Sequence, residues 1–125
     1  MSEPLGQLQL QVMEIVWRLG RATVAEAHEV LAGSRKIAYT TVLTTMRALE
    51  RRGMVRHERA GKAYLYEPLV SRADYAASSV HRLVDDLFDG SREKLLCHLL
   101  GADRISRAEL ARIRRMIRGR QENTS

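Results

Sequence analysis

The chain holds a single cysteine, Cys97, among 125 residues. That excludes a disulfide framework and a multi-cysteine zinc site. No apolar run approaches the ~18 residues of a membrane span. The first ten residues, MSEPLGQLQL, lack a basic segment followed by a continuous apolar stretch. They do not resemble a signal peptide, so a cytoplasmic setting without a membrane partner is expected. There is no HExxH, GxSxG, P-loop or dinucleotide glycine pattern. Asp85 and Asp86 are adjacent on one helix, and so are Cys97 and His98. Neighbours on a helix point about 100° apart and do not converge on a substrate or an ion. Cys97 is expected to be a small buried hydrophobe within the Leu95–Leu100 stretch. His28, His57 and His81 show no ligand spacing. The expectation is no enzyme, no metal and no cofactor. Internal repeats and low-complexity segments are also absent.

Apolar residues make up 45% and charged residues 29% of the chain, a globular composition. A chain of this size buries about two-thirds of its surface on folding, enough for one domain or one small domain plus an oligomerisation segment. Basic residues outnumber acidic ones 21 to 15, for a net charge of +6 and a pI near 10.1. That balance favours a polyanionic partner. Two blocks carry the excess. Arg47, Arg51, Arg52, Arg56, Arg59 and Lys62 face only Glu50 and Glu58 within residues 47–62, and Arg112, Arg114, Arg115, Arg118 and Arg120 have no acidic neighbour within residues 112–120.

Leu5, Leu8, Val12, Ile15, Val16 and Leu19 recur at helical steps up to Gly20, and Trp17 belongs with their core. Thr23 and Glu26 form a capping box for a second helix, with Val24, Ala27, Val30 and Leu31 as its stripe and Gly33 as its end. A third helix runs from about Tyr39 to Arg52, with Val42, Met46 and Leu49 inward and Gly53 at the left-handed closing position. Then the period changes to two. Met54–Glu58 and Ala63–Glu67 are expected as strands around a tip of Arg59, Ala60, Gly61 and Lys62, with Pro68 ending the ladder. Three helices followed by such a hairpin make a winged helix-turn-helix.

Beyond Ser71 the pattern is helical again. Ala76, Val80, Leu83, Val84 and Leu87 mark one helix ending near Gly90. Ser91 caps a shorter one, which carries Leu95, Leu96, Leu99 and Leu100 and stops at Gly101. Ser106 and Glu109 open a last one, stapled by Ile105 and Leu110, that continues through Ile113 and Ile117 and frays from Gln121. The fold class is therefore mainly α. Residues 1–69 are the expected winged helix-turn-helix DNA-binding domain, and residues 70–125 the helical dimerisation domain. Three helices in so short a segment have little private core. Val80, Leu83, Val84, Leu87, Leu95, Leu96, Leu99, Leu110, Ile113 and Ile117 are expected to meet a second copy, the alternative being packing back on the N-terminal half.

The third helix leaves Thr40, Thr41, Thr44, Arg47 and Arg51 on its outer side. Short hydroxyls suit phosphates and thymine methyls, and an arginine can fork onto guanine or a phosphate. Thr40, Thr41, Thr44 and Thr45 are also poor helix formers, unusual on a merely solvated face. Tyr39, Arg35 and Lys36 precede the helix within reach of a DNA backbone. Arg59 and Lys62 flank the wing tip.

The segments LQLQVMEIVWRLG, TVAEAHEVL, IAYTTVLTTMRALERRGMV and AGKAYLYEP resemble the BlaI/MecI/CopY family of bacterial winged-helix repressors, most closely its BlaI/MecI-like branch. The resemblance is close over residues 5–68 and rests on helix pattern over 71–118. It implies a homodimer joined through the helical tail, bound to a double-stranded DNA operator with dyad symmetry, repressing by blocking a promoter. The family often carries a long polar residue where this chain has Leu43. Its copper-responsive branch uses Cys-x-Cys motifs that are absent here. In its antibiotic-responsive branch, a membrane sensor's signal leads to proteolysis within the dimerisation helices. The matching bond here is His98–Leu99, which makes a sensor-linked protease a further partner under that resemblance. The competing readings are a ligand- or metal-responsive winged-helix regulator and a winged-helix adaptor that binds protein rather than DNA.

Overall fold

The computed structural model describes residues 4–102 and 105–124. Helix α1 spans Gln7–Leu19 and buries Val12, Met13, Ile15 and Val16. A two-residue strand, β1 (Ala22–Thr23), leads into α2 (Val24–Ala32). The capping box forms as the sequence indicates: Thr23 Oγ1 accepts from the Glu26 amide at 3.1 Å, and the Thr23 amide donates to Glu26 Oε1 at 2.8 Å. Helix α3 (Tyr39–Arg51) buries Val42, Thr45, Met46 and Leu49. Gly53, at φ +77°, turns the chain out of α3, and the Met54 amide donates back to the Leu49 carbonyl at 3.0 Å.

The wing consists of β2 (Val55–Ala60) and β3 (Ala63–Pro68), antiparallel and in register from Val55↔Pro68 to Ala60↔Ala63. The strands are longer than expected, and the turn shrinks to Gly61 and Lys62, with Gly61 at φ +65°. Arg59 therefore belongs to β2, opposite Tyr64. The sequence reading also lacked β1, which pairs with β3 through Ala22↔Tyr66 and Thr23↔Leu65 and makes the sheet three-stranded in the order β1-β3-β2. A two-residue strand shows no alternation to detect. The core closes between the three helices and this sheet, with Tyr66 and Val55 buried from the wing side.

Helices α4 (Arg72–Leu87), α5 (Arg92–Ala102) and α6 (Arg107–Thr124) complete the chain. Each opens on a serine. The Ser71, Ser91 and Ser106 hydroxyls accept from the amides of Asp74, Lys94 and Glu109 at 3.0, 3.1 and 3.1 Å. Two helix ends differ from expectation. Gly101 lies inside α5, because a glycine costs a helix about 1 kcal/mol but ends it only where the backbone leaves the helical region. α6 continues through Gln121 to Thr124, a stretch that contains neither glycine nor proline.

By compactness the chain divides into residues 1–80 and 81–125, a division that falls inside α4. In the first unit the start of α4 is bound to α1. The Trp17 indole donates to the Val70 carbonyl at 2.8 Å, and the Trp17 and Tyr75 rings lie 5.9 Å apart. The Leu5 amide donates to the Tyr75 hydroxyl at 3.0 Å. Arg72 grips Glu14 through two hydrogen bonds of 2.7 and 3.1 Å, which lowers the Glu14 carboxyl below its ordinary range. In the second unit Val84 is buried, and Phe88 meets His98 edge-on with ring centroids 5.7 Å apart. Cys97 is exposed, contrary to expectation: no described residue of its own unit covers it.

A fragment of residues 1–80 should be more stable than one of residues 1–69 by about 2 kcal/mol, since the shorter one loses the Val70 and Tyr75 hydrogen bonds. Thermal melts followed by circular dichroism measure the difference. Alkaline pH should also destabilise the winged unit. Burial pushes the Tyr66 hydroxyl above its ordinary value of 10.0, so the stabilisation from keeping it neutral is complete below that value. It declines as pH rises from there to the raised folded value, and Tyr66→Phe should flatten this part of the pH–stability curve.

Candidate nucleic-acid interface

Burying Val42, Thr45, Met46 and Leu49 turns the opposite side of α3 outward. Thr40, Thr44, Arg47 and Arg51 then fall within about 60° of one another around the helix axis, with Thr41 beside them. All five are exposed. Thr45 is the threonine that departs from the polar face: it is buried, and its hydroxyl is satisfied by the Thr41 carbonyl at 2.8 Å. Leu43 packs against the core, so the apolar residue at that position has a structural use.

The approach to α3 is fixed by His28, a residue to which the sequence reading gave no role. Its Nε2 lies 2.9 Å from the Ile37 carbonyl, which can only accept, so Nε2 carries the hydrogen. The same ring meets Tyr39 edge-on at 5.9 Å. Tyr39 itself stays 47% exposed at the start of the helix. Arg35 donates to Gln11 at 2.9 Å, and Lys36 is exposed.

The hairpin sorts its charges by face. Residues two apart on a strand share a face, and register pairs His57 with Tyr66 and Arg59 with Tyr64. Arg59 is thus on the face that Val55 and Tyr66 turn toward the core, further out toward the tip. There its Nε donates to the Gly61 carbonyl at 3.3 Å. Lys62 sits in the turn. Arg56 is on the opposite face, between Glu67 and Glu58, and Glu58 also meets Arg21 at 3.9 Å. Arg52 is committed elsewhere again, donating to Gln9 at 2.9 Å.

The basic block of residues 47–62 therefore divides. Arg52 and Arg56 are paired within the fold. Among the described residues, Arg47, Arg51, Arg59 and Lys62 have no acidic partner. They lie on α3 and the wing beside a patch of threonine hydroxyls, an arrangement able to bind phosphates and read base edges. No group of three metal-ligating side chains occurs among the described residues. No helix among them is long and apolar enough to cross a membrane.

The chain matches the penicillinase repressor family over residues 5–119. It is 33% identical over 115 residues to the transcriptional regulator BlaI of Mycobacterium tuberculosis, covering 90% of this chain and 82% of that protein. It is 21% identical over 106 residues to the penicillinase repressor of Bacillus licheniformis, covering 85% and 83%. Among solved structures, the DNA-binding domain of the repressor BlaI superposes with a TM-score of 0.53 at 22% identity, over 60% of this chain and 94% of that one. The oxidized form of MarR from E. coli gives 0.51 at 16% identity, over 92% and 74%. These likenesses place the fold among winged helices.

The two wing arginines should behave differently. Arg59→Ala should weaken binding to duplex DNA and lower the salt slope by about 0.9, the value for one phosphate contact. Arg56→Ala should leave both unchanged. Fluorescence anisotropy at several salt concentrations compares them.

Proposed function

Because the chain belongs to the penicillinase repressor family, we propose that it is a homodimeric transcriptional repressor that binds a pseudo-palindromic operator. Its relatives are repressors, not enzymes. The observation that carries the reading is the outward stripe of Thr40, Thr44, Arg47 and Arg51 on α3, with Arg59 and Lys62 on the adjacent wing. In this reading α3 enters the major groove. Thr40, Thr41 and Thr44 contact phosphates and thymine methyls, Arg47 and Arg51 take guanine edges or phosphates, and Tyr39, Arg59 and Lys62 hold the flanking backbone. Two copies set their recognition helices about 34 Å apart, one turn of B-DNA.

Dimerisation is supported by apolar surface that a lone chain leaves open. Val80, Leu83, Leu87, Leu96, Leu99 and Ile117 are exposed, and Leu95, Leu110 and Ile113 are half-buried. Val84 is already covered within the chain. Large apolar side chains left exposed in this number are suited to cover by a partner, and all of those named except Val80 lie within residues 81–125. Release by a sensor-linked protease at His98–Leu99 follows from the family resemblance. That bond lies within α5, so cleavage requires local unwinding. It would divide the apolar set between Leu96 and Leu99 while leaving α3 intact, and binding would fall because the second half-site contact is no longer tethered to the first.

Affinity for duplex DNA should fall by about 10³–10⁵ between about 50 and 200 mM salt if six to ten phosphates are contacted. Salt-independent binding, or none, would favour the adaptor reading. Leu87→Asp, at a position 71% exposed in the single chain, should leave the fold intact and produce monomers by sedimentation equilibrium. Retention of the dimer would move the interface elsewhere.

A further inference from the structure

Glu50 is the one acidic residue in α3, and it sits three positions after Arg47. Opposite charges at that spacing lie side by side and pair readily. The pair does not form. Instead Glu50 turns to the wing, where His57 Nδ1 lies 2.8 and 2.7 Å from its two carboxylate oxygens. A carboxylate only accepts, so Nδ1 carries the hydrogen. The ring is itself fixed, its centroid 4.7 Å from that of Tyr64 and 5.3 Å from that of Tyr66. Tyr66 is buried and anchors this stack to the core. The Glu50 carboxylate and the Arg47 guanidinium act on the Tyr66 hydroxyl in opposite directions, Glu50 raising its pKa and Arg47 lowering it. Both charges thus act on the same hydroxyl, and their spacing along the helix brings them within reach of each other.

We infer that His57 is a positioning residue for DNA recognition: by holding the Glu50 carboxylate on the wing, it keeps Arg47 free to bind DNA. The inference rests on the reading of Arg47 as a DNA contact. Without the imidazole, Glu50 is released to pair with Arg47 along the helix. It would then occupy that guanidinium and set a negative charge beside the phosphates. Tyr64 and Tyr66 make the arrangement specific, because their rings present the imidazole N–H at one place. The wing therefore serves α3 from its base as well as through the cations near its tip.

The test uses the full chain and a duplex that the wild-type protein selects from a random-sequence library. His57→Ala should weaken binding to that duplex by about 5- to 100-fold, the range for losing one good arginine contact. In an E50Q background the same change should cost almost nothing, since no carboxylate remains to capture Arg47. In an R47A background it should also cost little. His57→Asn, whose amide can donate from nearly the position of Nδ1, should keep most of the affinity and covers the case in which H57A does not fold. Melting temperatures confirm that the variants compared are folded. Wild-type affinity in H57A overturns the inference. So does a loss that persists in full in the E50Q or R47A background, because the wing or the fold would then be at fault. Selection of no duplex by the wild-type protein overturns the repressor reading, and this inference with it.

Discussion

The burial of one side of α3 is the constraint on which the interface depends. Val42, Met46 and Leu49 are completely enclosed, and Thr45 joins them because its hydroxyl finds the Thr41 carbonyl. A rotation of α3 by one residue would expose part of this set and bury a threonine or arginine without a partner, at a cost of several kcal/mol. The helix is therefore locked in rotation, and its outer stripe points where the core directs it. His28 adds the second restraint by tying the preceding turn to α2 through the Ile37 carbonyl.

Electrostatics then decides which of the many arginines remain available. Positive charge on this chain is plentiful and by itself says little. The acidic residues are placed so that some cations are consumed in holding elements together. Glu14 takes Arg72, and Glu58 and Glu67 take Arg56. These exposed pairs contribute little stability. Their larger effect is on the distribution of charge: within residues 47–62, the cations left over lie on α3 and on the wing.

The helical tail follows a different physical logic. Its serine caps and apolar spacing specify three helices, yet many of the apolar side chains stay open in a single chain. The first turns of α4 are the exception, fastened to α1 by Trp17, Tyr75 and Arg72. Whatever covers the rest of the tail therefore acts on a helix whose beginning is already part of the winged unit.

The sequence alone determined whatever depends on near neighbours in the chain. Helical spacing, the Thr23–Glu26 box, Gly53 and the change of period at the hairpin are local signals, and they made the winged helix and the outer face of α3 legible. The family resemblance rested on the same segments. Tertiary structure decided what depends on residues far apart in sequence. It paired Ala22 and Thr23 with β3, turned Thr45 inward, left Cys97 exposed, and shortened the wing turn so that Arg59 entered a strand. It also assigned Arg52 to Gln9 and Glu50 to His57. An arginine has the same charge in either role. Only the position of a carboxylate or amide brought in from another element determines whether that charge is spent within the fold or left for DNA.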